Sequence, residues 1–178
     1  MRRREILGAA LLLPPLLRPI YGLAQTCGAI TPRQTEGPFF TPNSPKRISL
    51  VEPGSKAPRL VVTGTVLSAQ CKPVPNALLD FWHSDEEGAY DNRGFRYRGH
   101  QHADAQGHFR LETIVPAEYP GRTRHIHVKV QAPGKRILTT QLYFPGDAGN
   151  KRDGLYRPEL EMKKAGSDET TFDFVVEA

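Results

Sequence analysis

Short runs in which apolar and polar side chains alternate make up most of the chain after residue 58. In the run from His125 to Val130, for example, Ile126, Val128 and Val130 are apolar and would face a core. A period of two is typical of strands that bury one face, and the runs are separated by Gly- and Pro-rich turns. This pattern predicts six strands, over Leu60–Leu67, Ala77–Trp82, His108–Thr113, His125–Val130, Ile137–Phe144 and Phe172–Val176.

No stretch after the N-terminal leader has the apolar period of a long helix. Several short strands with Gly/Pro punctuation predict an all-β fold, a β-sandwich of transthyretin- or immunoglobulin-like architecture. Residues 25–57 are rich in Pro, Gly and Thr and have no helical period, so they are predicted to form an extended N-terminal arm laid over the sandwich. The sandwich itself would then occupy residues 58–178.

The first residues follow a different pattern. Met1–Arg4 is cationic, Ile6–Leu17 is an apolar run, and Gly22–Ala24 offers small residues where a signal peptidase reads. We therefore predict a signal peptide over residues 1–24 and an exported protein, periplasmic or extracellular, with no membrane span after the signal is removed. The pair Arg3–Arg4 resembles a twin-arginine signal.

Charge and cysteine content refine this picture. The chain has 24 Lys and Arg against 19 Asp and Glu, but four arginines and one glutamate lie in the leader, which leaves 20 basic and 18 acidic side chains. Such a balance does not indicate nucleic-acid binding. In an oxidising compartment, Cys27 in the arm and Cys71 after the first strand are predicted to form a disulfide bond rather than a redox or metal site.

The candidate chemistry begins at His125 and His127. Residues two apart on a strand point to the same face, so both imidazoles could clamp one transition metal, although a polar strand face would also explain the pattern. Tyr119 precedes them on a predicted loop, and Tyr90 follows the second strand. A phenol has a pKa near ~10, so only a strong Lewis acid makes it a ligand at neutral pH. Two phenols and two imidazoles suit iron(III) better than zinc or copper.

Several motifs, taken in order over residues 35–145, resemble the intradiol ring-cleavage dioxygenases, the family that includes catechol 1,2- and protocatechuate 3,4-dioxygenases. Arg98-Gly99-His100-Gln101 and the cysteine placement resemble the short, exported members. The family motifs are Thr35-Glu36-Gly37-Pro38-Phe39-Phe40, Phe81-Trp82-His83 with Gly88-Ala89-Tyr90, Thr113-Ile114-Val115-Pro116 with Tyr119, Arg122-Thr123-Arg124-His125-Ile126-His127, and Gln141-Leu142-Tyr143-Phe144.

The resemblance implies a ferric ion held by Tyr90, Tyr119, His125 and His127, in a catalytic domain over residues 58–178. Its substrates would be O₂ and a small aromatic diol, cleaved between the two hydroxyl-bearing carbons to a cis,cis-muconate-type diacid. It also implies that Tyr119 is the ligand released when substrate binds.

The resemblance gives the other motif residues narrower roles. Arg122 would stabilise developing carbanion character in the substrate, and Gln141 would lie close to the iron. The motif from Thr35 to Phe40 is expected to contribute little chemistry.

This chain departs from the family pattern in places. Many members have Pro at the position of Arg124 or just before it, and Gly at the position of Ala117. The long helical N-terminal region of catechol 1,2-dioxygenases is not present, so a homo-oligomer would need another interface. His83, His100, His102 and His108 have no family role and are expected to be surface groups or neighbours of the ligands.

Two other functions fit the same fold. An exported copper protein could use His125 and His127 with His83, His100 or His102, but it would leave the tyrosines and Arg122 without a role. A metal-free, transthyretin-like binding module is the second, because fold alone does not determine function. The colour of the purified protein distinguishes the three functions.

Overall fold

The computed structural model describes residues 27–178, so the predicted signal peptide over residues 1–24 lies outside the described part. No helix within residues 27–178 is both long and apolar enough to cross a membrane. The regular secondary structure of the described chain is nearly all strand, with two short 3₁₀ helices at Ala148–Lys151 and Pro158–Leu160. Its strands are β1 Arg59–Ser68, β2 Leu78–Trp82, β3 Arg98–His102, β4 His108–Ile114, β5 His125–Gln131, β6 Leu138–Tyr143, β7 Lys163–Lys164, β8 Glu169–Thr171 and β9 Phe174–Val176.

The strands form two sheets, which confirms the predicted β-sandwich. One sheet has the order β3-β2-β5-β6, and the other has the order β4-β1-β8-β7 with β9 also paired to β1. The apolar side chains that alternate along the strands meet between the sheets, and Ile126, Val128 and Val130 are fully buried there, as predicted. Burying such side chains away from water is the main stabilising contribution of a core of this kind.

All six predicted strands are present, and β3 is an additional strand. β3 was not among the strands predicted from the sequence, and it is paired antiparallel with β2. Alternation is hidden in β3 because its five residues are Arg, Gly, His, Gln and His. The arm pairs with the free edge of β3 through a bridge between Lys46 and His100, so this strand is enclosed by β2 on one side and by the arm on the other.

The site lies on the outer face of the sheet that contains β3, opposite the core. In the register of the sheet, Trp82 of β2 is opposite both Arg98 of β3 and His127 of β5, and His127 is opposite Gln141 of β6. Opposed residues of neighbouring strands point to the same side of a sheet. Arg98, Trp82, His127 and Gln141 therefore form one row across four strands.

The described part of the arm is extended, as predicted, and is hydrogen-bonded to the sandwich. The Gln34 amide donates to the carbonyl of Thr139 at 2.9 Å, and the Thr31 amide to the carbonyl of Val175 at 2.9 Å. Cys27 and Cys71 form the predicted disulfide bond, 44 residues apart in sequence. Closing a loop of that length stabilises a fold by about 4 kcal/mol in the chain-entropy model. The arm is thus fixed at its start and along its length.

Candidate metal centre

His125 and His127 occupy alternate positions of β5 and bring two nitrogens together. Their Nε2 atoms are 3.1 Å apart. The His125 Nδ1 atom is 2.7 Å from the carbonyl oxygen of Thr123, to which it donates. A ring nitrogen that donates in this way leaves the lone pair of the other nitrogen available to a metal. The His125 Nε2 lone pair consequently points toward His127.

Both imidazoles are buried and neutral. His125 is 4% exposed and His127 3% exposed. Burial, together with the positive charge of Arg122, lowers the pKa of His125 to about 4, although the hydrogen bond to the Thr123 carbonyl acts in the opposite direction. Burial, followed by the neighbouring His125 and Arg122, holds the pKa of His127 well below its usual value. Neutral imidazole is the form that binds metals.

Packing fixes the ring of His127. The indole of Trp82 stacks on it with ring centres 4.8 Å apart and an interplanar angle of 8°. The backbone of Gly37 also lies close to this ring, since a Cβ added at Gly37 would be in van der Waals contact with His127 Cε1, at 3.6 Å. The His127 Nδ1 and Trp82 Nε1 atoms are buried and have no hydrogen-bond partner among residues 27–178. The orientation of this ring therefore depends on stacking rather than on a hydrogen bond.

Tyr90 adds an oxygen to the two nitrogens. Its hydroxyl is 3.1 Å from His125 Nε2. Its ring stacks on Phe39 with centres 4.5 Å apart and planes 17° from parallel. Burial raises the pKa of the Tyr90 phenol, although Arg122 and Arg98 act in the opposite direction. A phenol in this position becomes a phenolate only when a strong Lewis acid binds it.

Tyr119 lies on a loop before β5, as predicted, and its ring is close to that of Tyr90. The two rings meet edge-on with centres 5.8 Å apart, and Tyr119 meets Phe39 edge-on at 5.3 Å. The Arg122 amide donates to the Tyr119 carbonyl at 2.8 Å and Gly121 has φ +81°, which is the signature of a type II turn. No hydrogen bond to the Tyr119 hydroxyl is formed within residues 27–178, so this phenol is held more loosely than Tyr90.

The two tyrosine loops are joined directly. The Ala117 amide donates to the carbonyl of Asp85 at 3.0 Å, and Ser84 Oγ donates to the carbonyl of Ala117 at 2.9 Å. Gly88 has φ +85°, and a Cβ there would be 2.4 Å from the Glu118 carbonyl oxygen. Only glycine permits this backbone approach. The spacing of Tyr90 and Tyr119 is thus determined by contacts between their loops.

Arg122 is fixed by neighbours on two elements, β6 and the segment that follows the first 3₁₀ helix. Its Nε donates to Asp153 Oδ2 at 2.8 Å, and its Nη2 donates to Gln141 Oε1 at 2.7 Å. Asp153 is 2% exposed in its side chain and also accepts from the amides of Thr123 and Leu155. Burial alone would raise the pKa of Asp153, but the Leu155 amide and Arg122 hold it below its usual value. Asp153 was not predicted from the sequence.

Gln141 connects Arg122 to the arm. Its Nε2 donates to the carbonyl of Thr35 at 2.9 Å while its Oε1 accepts from Arg122. Both ends of the amide are therefore engaged. The arm motif from Thr35 to Phe40, expected to contribute little chemistry, in fact lines the site, because it also supplies Phe39 against both tyrosines and Gly37 against His127.

The remaining histidines do not join the site. His83 is buried, not a surface group, and both of its nitrogens are engaged, with the Ser84 carbonyl and with Thr113 Oγ1, each at 2.6 Å. His100 bonds to Ser44, and His102 and His108 are exposed. The ring nitrogens of His83 are therefore not available for the copper site considered above. Arg124 is half exposed and pairs with Asp147.

The donor set fits iron(III). No group of three or more His, Cys, Asp and Glu residues suited to a metal occurs between residues 27 and 178. The converging atoms are instead two neutral imidazole nitrogens and a phenol oxygen. The His127 Nε2 atom and the Tyr90 hydroxyl each lie 3.1 Å from His125 Nε2, and the Tyr119 phenol lies beside them. Two nitrogens that each lie about 2.1 Å from one ion can be no more than about 4.2 Å apart, so this spacing allows shared coordination. Phenolate oxygen favours a hard, highly charged ion.

Comparison with known proteins places the chain in a family. A sequence model described as dioxygenase matches residues 35–177. The catechol 1,2-dioxygenase of Acinetobacter baylyi is 31% identical over 155 residues, which cover 71% of this chain and 50% of that protein. The hydroxyquinol 1,2-dioxygenase of Corynebacterium glutamicum is 31% identical over 62% of this chain and 45% of that protein. The chain thus spans about half the length of these curated relatives.

Solved structures agree with this placement. The dioxygenase domain of a dioxygenase and carbohydrate-binding protein fusion from Streptomyces sp. SirexAA-E is 53% identical, with a TM-score of 0.81, over 84% of this chain and 99% of that one. An intradiol ring-cleavage dioxygenase from Tetranychus urticae is 25% identical, with a TM-score of 0.76, over 84% and 95%. The chain belongs to the intradiol ring-cleavage dioxygenase family.

Proposed function

We propose that the protein is a non-haem iron(III) dioxygenase that inserts both atoms of O₂ into a catechol-type ring and releases a cis,cis-muconate-type diacid. The observation that carries this proposal is the convergence of the Tyr90 hydroxyl and the two histidine Nε2 atoms at 3.1 Å, beside Tyr119 and a fixed Arg122. The names of the catechol and hydroxyquinol dioxygenases among its relatives support the substrate class.

In this proposal, Tyr90, Tyr119, His125 and His127 hold the ion. When bound, a ferric ion supplies Lewis acidity that withdraws electron density from a chelated catecholate and activates its ring toward dioxygen. Buried, neutral histidines and a tightly packed Tyr90 would remain in place during turnover. Tyr119 is packed edge-on and is the residue suited to leave and to accept a catechol proton.

Arg122 and Gln141 act on charge and position. The Arg122 guanidinium keeps a positive charge beside the tyrosines, where it would stabilise negative charge that develops on the ring. Asp153 and Gln141 fix the direction of that guanidinium from two sides. Such pre-organised charge contributes to catalysis because no reorganisation is needed during the reaction.

Export is part of the same proposal. The pattern over residues 1–24 indicates a signal peptide, and the disulfide bond between Cys27 and Cys71 is typical of proteins that fold in an oxidising compartment. Cleavage after residue 24 would leave Cys27 near the new N-terminus.

Oxygen uptake on a panel of diols tests the function. Iron-loaded protein should consume one O₂ per molecule of catechol, hydroxyquinol or protocatechuate for at least one member of the panel, and ¹⁸O₂ should label both carboxylates of the product. The same protein loaded with zinc is the control and should consume none. A semialdehyde product would contradict intradiol cleavage, and no uptake on any diol by the iron-loaded protein would contradict the dioxygenase proposal.

A further inference from the structure

Arg98 is a buried arginine without a carboxylate partner. It is 1% exposed, and no carboxylate in the described part of the chain forms an ion pair with it. A buried charge is normally paired, because desolvating a guanidinium costs several kcal/mol. Arg47, its neighbour, follows the usual pattern and pairs with Glu52 at 3.0 Å. Because no ion pair accounts for the burial of the Arg98 guanidinium, its other contacts have to explain it.

The donors of Arg98 go to two backbone carbonyls. Its Nε and Nη2 donate to the carbonyl of Asp91 at 3.0 and 2.7 Å, and its Nη1 donates to the carbonyl of Phe39 at 2.5 Å. Asp91 directly follows Tyr90 in the chain, and the ring of Phe39 stacks on Tyr90 at 4.5 Å. The two carbonyls thus belong to the covalent neighbour and to the stacking neighbour of Tyr90.

The place of Arg98 in the sheet explains how its guanidinium reaches the carbonyls of both Asp91 and Phe39. It lies in the row with Trp82, His127 and Gln141, so β3 holds its Cα at the same level as the histidine ligand. The Asp91 side chain does not compete for the guanidinium, because it accepts from the amides of Arg93, Gly94 and Arg96 and closes its own loop. A planar guanidinium can reach two acceptors at fixed directions, whereas an ammonium cannot.

We propose that Arg98 is a positioning residue, whose guanidinium joins the arm to the loop after Tyr90 and so holds the Tyr90 phenol beside His125. This inference rests on the proposed function only in treating Tyr90 as an iron ligand. The guanidinium of Arg98 donates to backbone carbonyls and is not one of the proposed iron ligands. Its effect reaches the site through Phe39 and Asp91.

The test compares Arg98→Met, Arg98→Lys and the matched control Arg47→Gln. Arg47 donates to the carbonyl of Arg98 at 2.9 Å and to that of Phe95, so its loss loosens β3 without touching the two carbonyls beside Tyr90. Residues that orient metal ligands typically change metal affinity by roughly 10–100-fold. We expect the iron affinity of both Arg98 variants, measured by competition with a chelator, to be lowered by that factor. Their visible phenolate band should also be shifted. Arg47→Gln should keep the wild-type affinity and band.

A measurement on iron-free protein separates this inference from the proposed function. Nuclear Overhauser contacts between the rings of Phe39 and Tyr90 should be present in the wild type and in Arg47→Gln, and weakened or absent in both Arg98 variants. If the wild type binds no iron, the proposed function fails, but the ring contact still decides the role of Arg98.

Three results would overturn the inference: unchanged ring contacts in Arg98→Met, wild-type behaviour of Arg98→Lys, or an equal loss in Arg47→Gln. If the Arg98 variants do not fold, Phe39→Leu replaces them. It keeps the Phe39 carbonyl and removes only the stacked ring, so it should weaken iron binding in the same sense, and wild-type affinity in this variant would equally overturn the inference.

Discussion

At the scale of single residues, the position of the Arg122 guanidinium depends on side chains that are themselves held by hydrogen bonds. Arg122 donates to Asp153 and Gln141, and Asp153 in turn accepts from two backbone amides. The side chains of this pair are 17% and 2% exposed. A pair that is this far from water is sensitive to the loss of either partner, because the remaining charge is left buried.

Replacing Asp153 tests this pair. Asp153→Asn should destabilise the fold by about 3–5 kcal/mol, and it should lower the ring-cleavage rate while iron content stays near the wild-type value. Thermal unfolding, iron analysis and turnover measure the three effects. Arg124→Gln is the control, since Arg124 is 43% exposed and its pair with Asp147 should contribute only about 0–1 kcal/mol. Full activity in a folded Asp153→Asn protein would show that Arg122 does not need this partner.

The two tyrosines should respond differently to the same substitution. Tyr90 is stacked on Phe39 and its hydroxyl meets His125, whereas Tyr119 touches its neighbours only edge-on. Tyr119→Phe should keep substantial iron with an altered colour, and ring cleavage should fall by ~10²–10⁴-fold, the usual contribution of a general base. Tyr90→Phe should mainly reduce iron retention. Near-wild-type single-turnover rates in iron-loaded Tyr119→Phe would contradict the role given to that residue.

At the scale of elements, the phenols of Tyr90 and Tyr119 lie close together only because the loops that carry them are in backbone contact. Gly88 is the point of closest approach, because a Cβ there would be 2.4 Å from the Glu118 carbonyl oxygen, one residue before Tyr119. Gly134, in the turn between β5 and β6, has a similar positive φ of +71°, but a Cβ added there would meet no atom within 4 Å. Substitution of Gly134 would introduce backbone strain alone, whereas substitution of Gly88 would introduce the same strain and also push the two loops apart.

Substitution of these glycines therefore gives a matched test. Gly88→Ala should displace the Tyr119 loop and lower both iron affinity and the visible band, while Gly134→Ala should cost only about 1 kcal/mol of stability, the usual penalty for an alanine at positive φ. Spectra and thermal unfolding of the two variants make the comparison. If Gly88→Ala keeps a wild-type band, the contact between the loops does not determine the spacing of the phenols.

Elements differ in how far the sequence predicts them. Alternating apolar residues predicted six strands and the direction of Ile126, Val128 and Val130, because alternation is a local consequence of burying one face. β3 was not predicted, since its buried residues include Arg98, whose burial depends on carbonyls of the arm and of the Asp91 loop. Asp153 could not be predicted either, because it lies 31 residues from Arg122 and no local pattern connects them.

At the scale of the whole molecule, buried histidine makes stability depend on pH. His83 is fully enclosed; its Nδ1 donates to the Ser84 carbonyl, its Nε2 accepts from the Thr113 hydroxyl, and burial lowers its pKa to about 4. The pKa of an exposed histidine is near ~6.5. Because the folded value is the lower one, the folded state binds fewer protons, and stability present above pH ~6.5 is lost as the pH falls toward about 4.

Iron-free protein should show this loss directly. The free energy of unfolding should fall by roughly 3 kcal/mol from this group between pH ~6.5 and ~4. In His83→Gln that part of the pH dependence should disappear, even if the variant is less stable throughout. His108→Gln alters an exposed histidine and leaves His83 in place, so the loss of stability attributed to His83 should persist in this variant. Parallel profiles for wild type and His83→Gln would contradict the neutral, buried state of His83.

The identity of the bound metal tests the central claim most directly. The two histidines and two tyrosines grouped on β5 and its neighbouring loops predict about one iron per chain, whichever of iron, copper and zinc are available during expression. The purified protein should be red-brown from phenolate-to-iron charge transfer, and Tyr90→Phe should reduce both iron and colour. Stoichiometric copper or zinc with negligible iron, or a colourless protein after iron loading, would contradict the account.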